Sequence, residues 1–228
     1  NGVTLFTDAF CSYHRDGSTV SSKEYETRSV DKKTLDGGTV FTVTMQKRGL
    51  WDLQQTFTFD DKADFFTTKV TLSDNGSTVA TNYIAPLVIE NGKLQNSAFR
   101  WEKVLEVPFD NDGWVEFQVK ERGQSTVSYE VGALFTPDNG SGLVLGSLEH
   151  DHWKTAVATS GKPGRITDLT LYCGAVDPRQ GTEPHGNVSG ESVASPELFV
   201  GVFDNWKTGM HAFAKENPAL QPKRKTAG

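Results

Sequence analysis

Seven residues, Glu149-His150-Asp151-His152-Trp153-Lys154-Thr155, follow directly on the apolar run Leu143-Val144-Leu145-Gly146-Ser147-Leu148. They bring two imidazoles, two carboxylates and an indole together, groups that bind metals or move protons. On a continuing strand, His150 and His152 would project from one face and Glu149 and Asp151 from the other. Two imidazoles supply half of a tetrahedral zinc site. His185 or His14 would have to complete it, and no spacing selects either. A polar strand end running into a solvated turn accounts for the same residues with no metal, and no cofactor is implied.

A second candidate lies in VPFDNDGWVEF, residues 107–117. Asp110, Asn111 and Asp112 set oxygen acceptors just before Trp114, an arrangement that suits calcium or the hydroxyls of a sugar stacked on an indole. An EF-hand is excluded, because the loop lacks the glycine at position six and the closing glutamate. A hairpin turn is the competing reading, since Asx side chains bond their own backbone. Trp101, Trp114 and Trp153 each fall at a strand boundary, where aromatics stack on sugar rings; core filling is the alternative. The candidate carbohydrate-binding set is therefore Asp110, Asn111, Asp112, Trp114 and Trp153. No serine sits in a G-x-S-x-G elbow, and no phosphate-cradling glycine loop occurs.

The elements that position these groups read as strands. Phe41, Val43 and Met45 alternate with threonines, and Phe57 with Phe59 and Phe66 with Thr68, Val70 and Leu72 repeat the half-buried period of two. Val115, Phe117 and Val119 follow the same rule, and Val127, Tyr129, Val131, Ala133 and Phe135 form the longest run. LVLGSL, DLTLYCG and ELFVGVF come after them. Turn signals separate the strands at Asp36-Gly37, Asn75-Gly76, Asn91-Gly92, Asp138-Asn139-Gly140 and Pro163-Gly164. Strands at this spacing with no helices between them predict a sandwich. One helix is predicted near the C-terminus: Asp204 as N-cap, Trp206, Met210 and Phe213 on one face, and Pro218 as the stop. QPKRKTAG beyond it reads as a linker or tail.

At 228 residues the chain is long enough for one large all-β domain. A formal charge of −6 argues against a nucleic-acid partner, and no apolar run spans a bilayer. Cys11 and Cys173 are either one bridge or two buried thiols. The N-terminus lacks a charged region followed by an apolar one, as a mature secreted or periplasmic chain also would, so the compartment stays open.

VPFDNDGW, SYEVGALF, GLVLGSLEHDHWKTAV and EPHGNVSGESVASPELFVGVFDNWKTGMHAFAKEN, in this order over residues 105–217, resemble the α-galactosidases of glycoside hydrolase family 36 and their clan relatives. The resemblance implies an all-β, large antiparallel supersandwich of galactose-mutarotase type over 1–203, a C-terminal connector helix at 204–217, and a linker at 218–228 leading to a catalytic barrel outside this sequence. It implies a non-catalytic domain supporting that barrel, with a galactoside-type carbohydrate as ligand and a homo-oligomer as a further expectation. The family's two catalytic aspartates lie on barrel strands, and no aspartate here matches either. The 149–155 stretch then corresponds to a strand-to-loop segment, and the helix is expected to keep its apolar stripe partly exposed. Two alternatives stand beside this: an autonomous carbohydrate-binding module, and an aldose-epimerase-type enzyme using His150 with Glu149 or Glu191.

Overall fold

In a computed structural model, described for residues 4–94, 101–109, 116–177 and 185–221, the alternating segments become eighteen strands and one α-helix. The first half holds β1 (Phe10–Arg15), β2 (Ser18–Ser21), β3 (Glu26–Leu35), β4 (Gly38–Gln46), β5 (Asp52–Asp60), β6 (Phe65–Ser73), β7 (Val79–Thr81) and β8 (Ile84–Ile89). Then come β9 (Lys103–Glu106), β10 (Gln118–Glu121), β11 (Thr126–Tyr129), β12 (Val131–Phe135), β13 (Gly142–Ser147), β14 (Thr155–Lys162) and β15 (Arg165–Cys173). β16 (Val188–Gly190), β17 (Ser192–Ala194), β18 (Leu198–Phe203) and α1 (Trp206–Glu216) complete the order.

All strand pairs are antiparallel. One sheet runs β11-β14-β15-β8-β1-β2. The larger runs β10-β9-β12-β13-β18-β6-β5-β4-β3, with β17 also on β6. The sandwich core lies between them: Ile89, Leu169 and Leu171 from the first sheet meet Leu134, Leu143, Leu145 and Leu198 from the second. The alternate residues of β12, β13 and β18 face the other way. Ala133, Phe135, Val144 and Phe199 form a further core with Phe213 of α1. These strands are apolar on both faces, which is why LVLGSL and LFVGVF read as unbroken apolar runs.

α1 begins one residue later than predicted. Asn205, not Asp204, is the N-cap, its side chain accepting from the Lys207 N–H at 2.9 Å. The helix lies on this chain's own sheet, with Trp206 stacked on Phe135 at 4.3 Å and Phe213 edge-on to Phe199 at 5.7 Å. The stripe expected to remain partly exposed packs on the sheet: Phe213 is buried, whereas Trp206 and Met210 stay partly exposed beside it. Small residues allow this approach. A Cβ at Gly146 would stand 2.6 Å from the Phe213 ring, and one at Gly209 would stand 2.5 Å from Phe203 and 2.8 Å from Val144.

The longest predicted strand is in fact two. β11 pairs with β14 in the smaller sheet and β12 with β13 and β9 in the larger, and Glu130 between them adopts φ +63°, a left-handed conformation rare outside glycine and asparagine. The alternating pattern continues through the corner because both strands bury one face, so it cannot reveal the change of sheet. The VEFQV reading also changes. Among the described residues of that segment Gln118–Glu121 is strand, at the sheet edge, and Phe117 and Val119 are exposed.

Pro86 lies inside the central strand β8, a position that normally requires a backbone donor. Both of its ladders slip by one residue there, between Phe10 and Ser12 on β1 and between Leu171 and Cys173 on β15. The slip accommodates the missing N–H. Cys11 and Cys173, both fully buried, are free thiols. They sit on the two strands flanking β8, and two strand spacings (about 9–10 Å) exceed the roughly 7 Å Cα reach of a disulfide.

Gly209→Ala tests the helix–sheet approach. Overpacking against Phe203 and Val144 costs about 1–3 kcal/mol, whereas improved helix propensity returns at most about 1 kcal/mol. A lowered urea midpoint with an unchanged slope is the expected result.

Candidate functional site around the 149–155 loop

β13 ends at Ser147 and β14 begins at Thr155, so residues 149–154 form a loop and the strand-based geometry for His150 and His152 does not arise. The Ser147 hydroxyl donates to Glu149 O at 2.6 Å, and Leu148 N–H donates to Glu197 O at 2.9 Å, tying the turn to the start of β18. Glu149 points toward β6: its Oε2 accepts from Lys69 Nζ at 2.9 Å and from Glu197 N–H at 3.0 Å. Both partners of the ion pair are well solvated, with side chains 38% and 43% exposed, so its stabilisation is about 1 kcal/mol or less.

His150 and His152 separate. His150 donates from Nδ1 to Glu130 Oε2 at 2.9 Å, and its Nε2 lies 3.0 Å from Asn217 Nδ2. The Asn217 amide is fixed, since Nδ2 donates to Ser147 O and Oδ1 accepts from Ala219 N–H. The amide donor suits a neutral ring with its proton on Nδ1, whereas the Glu130 carboxylate favours the charged ring. The carboxylate dominates and raises the pKa of His150 above the ordinary 6.5, with partial burial acting against it. Glu130 also receives Lys154 Nζ at 3.5 Å, so loop, corner and helix end share one polar cluster. Neither Glu149 nor Glu191 partners His150; Glu149 is engaged by Lys69 instead.

His152 and Asp151 are exposed and line a cleft of about 400 Å³ together with Lys69, Glu149, Ser189 and Ser192. Trp153 lines it as well but is only 7% exposed; its indole N–H donates to Ala194 O at 2.9 Å, and its ring stacks on His185 at 5.2 Å. The indole is used chiefly for packing. A second hollow of about 330 Å³ opens on the other side of Glu149, lined by Asp60, Thr67, Glu197 and Glu216 among others. The Thr67 hydroxyl donates to Glu197 Oε1 at 2.5 Å. The mixture of carboxylates, an ammonium, an imidazole and hydroxyls can hydrogen-bond a polyhydroxylated ligand.

Among the described residues no group of three or more His, Cys, Asp or Glu side chains is placed to hold a metal. His14 is engaged with Asn82 and stacked on Tyr83, and His185 with Trp153. Asp110, Asn111, Asp112 and Trp114 lie outside the described residues. Phe109, just before them, packs on Tyr129 with Lys154 Nζ 5.0 Å from its ring centre. Sequence reasoning missed Lys69, Glu130, Glu197 and Asn217. Each is one charged or amide residue at an unremarkable position, and only the pairing of distant strands brings it to the loop.

Replacing the carboxylate tests the cluster. His150 titrates above 6.5 in the native chain, and in Glu130→Gln its proton NMR titration moves downward. Because the folded-state pKa is raised, the pair stabilises the fold below pH 6.5, and that contribution is lost as pH rises through the shifted value. The difference in unfolding free energy between the native chain and Glu130→Gln therefore narrows toward alkaline pH.

No protein-family model matches the sequence, and no curated protein does. Solved structures do match the fold. In a GH36 α-galactosidase from Geobacillus stearothermophilus, solved with 1-deoxygalactonojirimycin, the likeness covers 91% of this chain and 32% of that one, at 10% identity and a TM-score of 0.60. In a β-arabinopyranosidase it covers 88% of this chain and 35% of that one, at 11% identity and a TM-score of 0.56. No helix among the described residues is long and apolar enough to cross a membrane. The chain thus has an all-β sandwich fold found within two larger glycosidases, one of them of the family resembled by residues 105–217, and it spans about a third of their length.

Proposed function

We propose that this chain is a non-catalytic sandwich domain of a larger α-galactosidase-like glycoside hydrolase. It supports a catalytic barrel outside this sequence and lends the 149–155 cleft to a galactoside-type carbohydrate. The observation that carries the reading is the asymmetric likeness, which covers nine-tenths of this chain but only a third of each glycosidase. The site chemistry agrees with it. The two ionisable pairs nearest the loop are committed to structure, Glu149 to Lys69 and Glu130 to His150, so neither is a free acid–base couple. In this reading residues 1–203 are the sandwich and 204–217 the connector, with α1 anchored on its own sheet to hold the junction rigid.

A second reading, an autonomous carbohydrate-binding module, draws on the polar cleft itself, whose Asp151 and His152 are exposed and uncommitted to the core. In either reading Asp110, Asn111, Asp112 and Trp114 are further proposed sugar-binding residues, and a homo-oligomer is compatible with both.

Two measurements test the reading. The chain is expected to leave aryl α-galactosides unhydrolysed, and turnover near that of an intact α-galactosidase would overturn the proposal. Calorimetric titration with galactose is expected to saturate weakly. The double variant Asp151→Ala, His152→Ala should weaken it by about tenfold, as expected for lost hydrogen bonds to charged groups, and shift stability by less than about 0.5 kcal/mol. Galactose affinity that the double variant leaves unchanged would remove the cleft from the proposal. Strong binding to the isolated chain would favour the module.

A further inference from the structure

A mostly apolar opening lies away from the loop, where β1 and β8 of one sheet meet β5 and β6 of the other. It has a volume of about 330 Å³, and Phe10, Phe57, Phe59 and Phe66 contribute to its walls. Phe59 and Phe66 stack at 5.3 Å and Phe57 is tilted against Phe66 at 6.2 Å, so three of the rings form one connected wall. Roughly 150 Å³ of dry apolar space accommodates benzene, so the volume admits a substituted ring.

Gln55 gives this cavity a polar point. Its side chain is 93% buried and lines the opening. Its Nε2 donates to Pro86 O at 2.8 Å and to Thr68 Oγ1 at 3.1 Å. A carbonyl can only accept, so the bond to Pro86 fixes which end of the amide is nitrogen. Both amide donors are used, and Oε1 is left facing elsewhere. It accepts no hydrogen bond among the described residues, yet it is not among the buried polar atoms sealed from solvent. Because Oε1 is open to solvent, a ligand that displaces its water must bring a donor of its own or leave the acceptor unpaired.

We propose that this cavity binds a single aromatic ring carrying a hydroxyl group. The ring packs on the phenylalanine wall in offset or edge-on geometry, and the hydroxyl donates to Gln55 Oε1. A hydroxyl-free ring of the same shape fills the cavity but leaves Oε1 unpaired. The site is independent of the glycosidase reading, because it shares no residue with the 149–155 cleft.

The probe is p-cresol, with toluene as its hydroxyl-free counterpart, followed by two-dimensional NMR on the intact chain. Saturable binding of p-cresol is expected, shifting the Gln55 side-chain NH₂ and the Thr68 and Leu87 amides, with toluene about tenfold weaker for the missing hydrogen bond. Ala9 lines the cavity from its exposed rim, so Ala9→Phe fills the opening without touching the Gln55 bonds and is expected to abolish binding while leaving circular dichroism unchanged. The proposal is overturned by no binding of p-cresol up to its solubility, by equal affinity for toluene, or by p-cresol shifts that persist in Ala9→Phe. A dimer in sedimentation equilibrium that Ala9→Phe dissociates would also overturn it, placing a second copy of the chain on this face.

Discussion

Strands β12, β13 and β18 carry apolar side chains on both faces, and much of the remaining architecture follows from covering them. The smaller sheet covers one face and α1 the other. The chain must therefore return after β18 and lay a helix across strands it has already made. That helix fits only because glycines stand where larger residues would collide with Phe203, Phe213 and Trp206. The same strands deliver Ser147 and Glu197 to the two sides of the 149–155 loop, so the loop's shape is a by-product of how the double-faced strands are stacked.

Crossing between the sheets is the second requirement, and Glu130 performs it. Its backbone takes an unfavourable left-handed turn, and three contacts compensate: its N–H donates to Thr155 O, its carbonyl accepts from Ser147 N–H, and its carboxylate accepts from His150. One residue thus joins β11 to β12 and secures the loop against both. Asn217 closes the arrangement from the helix side. The most chemically suggestive residues of the sequence, the two histidines, consequently divide between structure and surface.

The fold was largely legible because half-buried strands announce themselves by alternation and turns by Asn-Gly, Asp-Gly and Pro-Gly; the 36–37, 91–92 and 163–164 turns fall where those signals lie. What was not legible depends on partners remote in sequence. The alternation of Val127 through Phe135 is continuous, although the chain changes sheets in its middle. Phe117 and Val119 alternate like core residues but are exposed among the described residues, since period alone does not say whether a second layer exists. The helix face at Trp206, Met210 and Phe213 was readable as a stripe, but the surface that would receive it was not. For the cleft, Asp151 and His152 were visible in the sequence, whereas Lys69 arrives from 80 residues away.

Cys11 and Cys173 sit at 0% exposure on either side of β8, and burial pushes both thiols up, that of Cys11 to about 11. Held as protonated sulfhydryls in a dry interior, they are chemically silent toward disulfide exchange and alkylation while the strands stay paired. Their silence ends only when β1 or β15 detaches from β8. The chain therefore carries an internal label for the moment its scaffold comes apart: modification of either sulfur by an electrophile records an opening event.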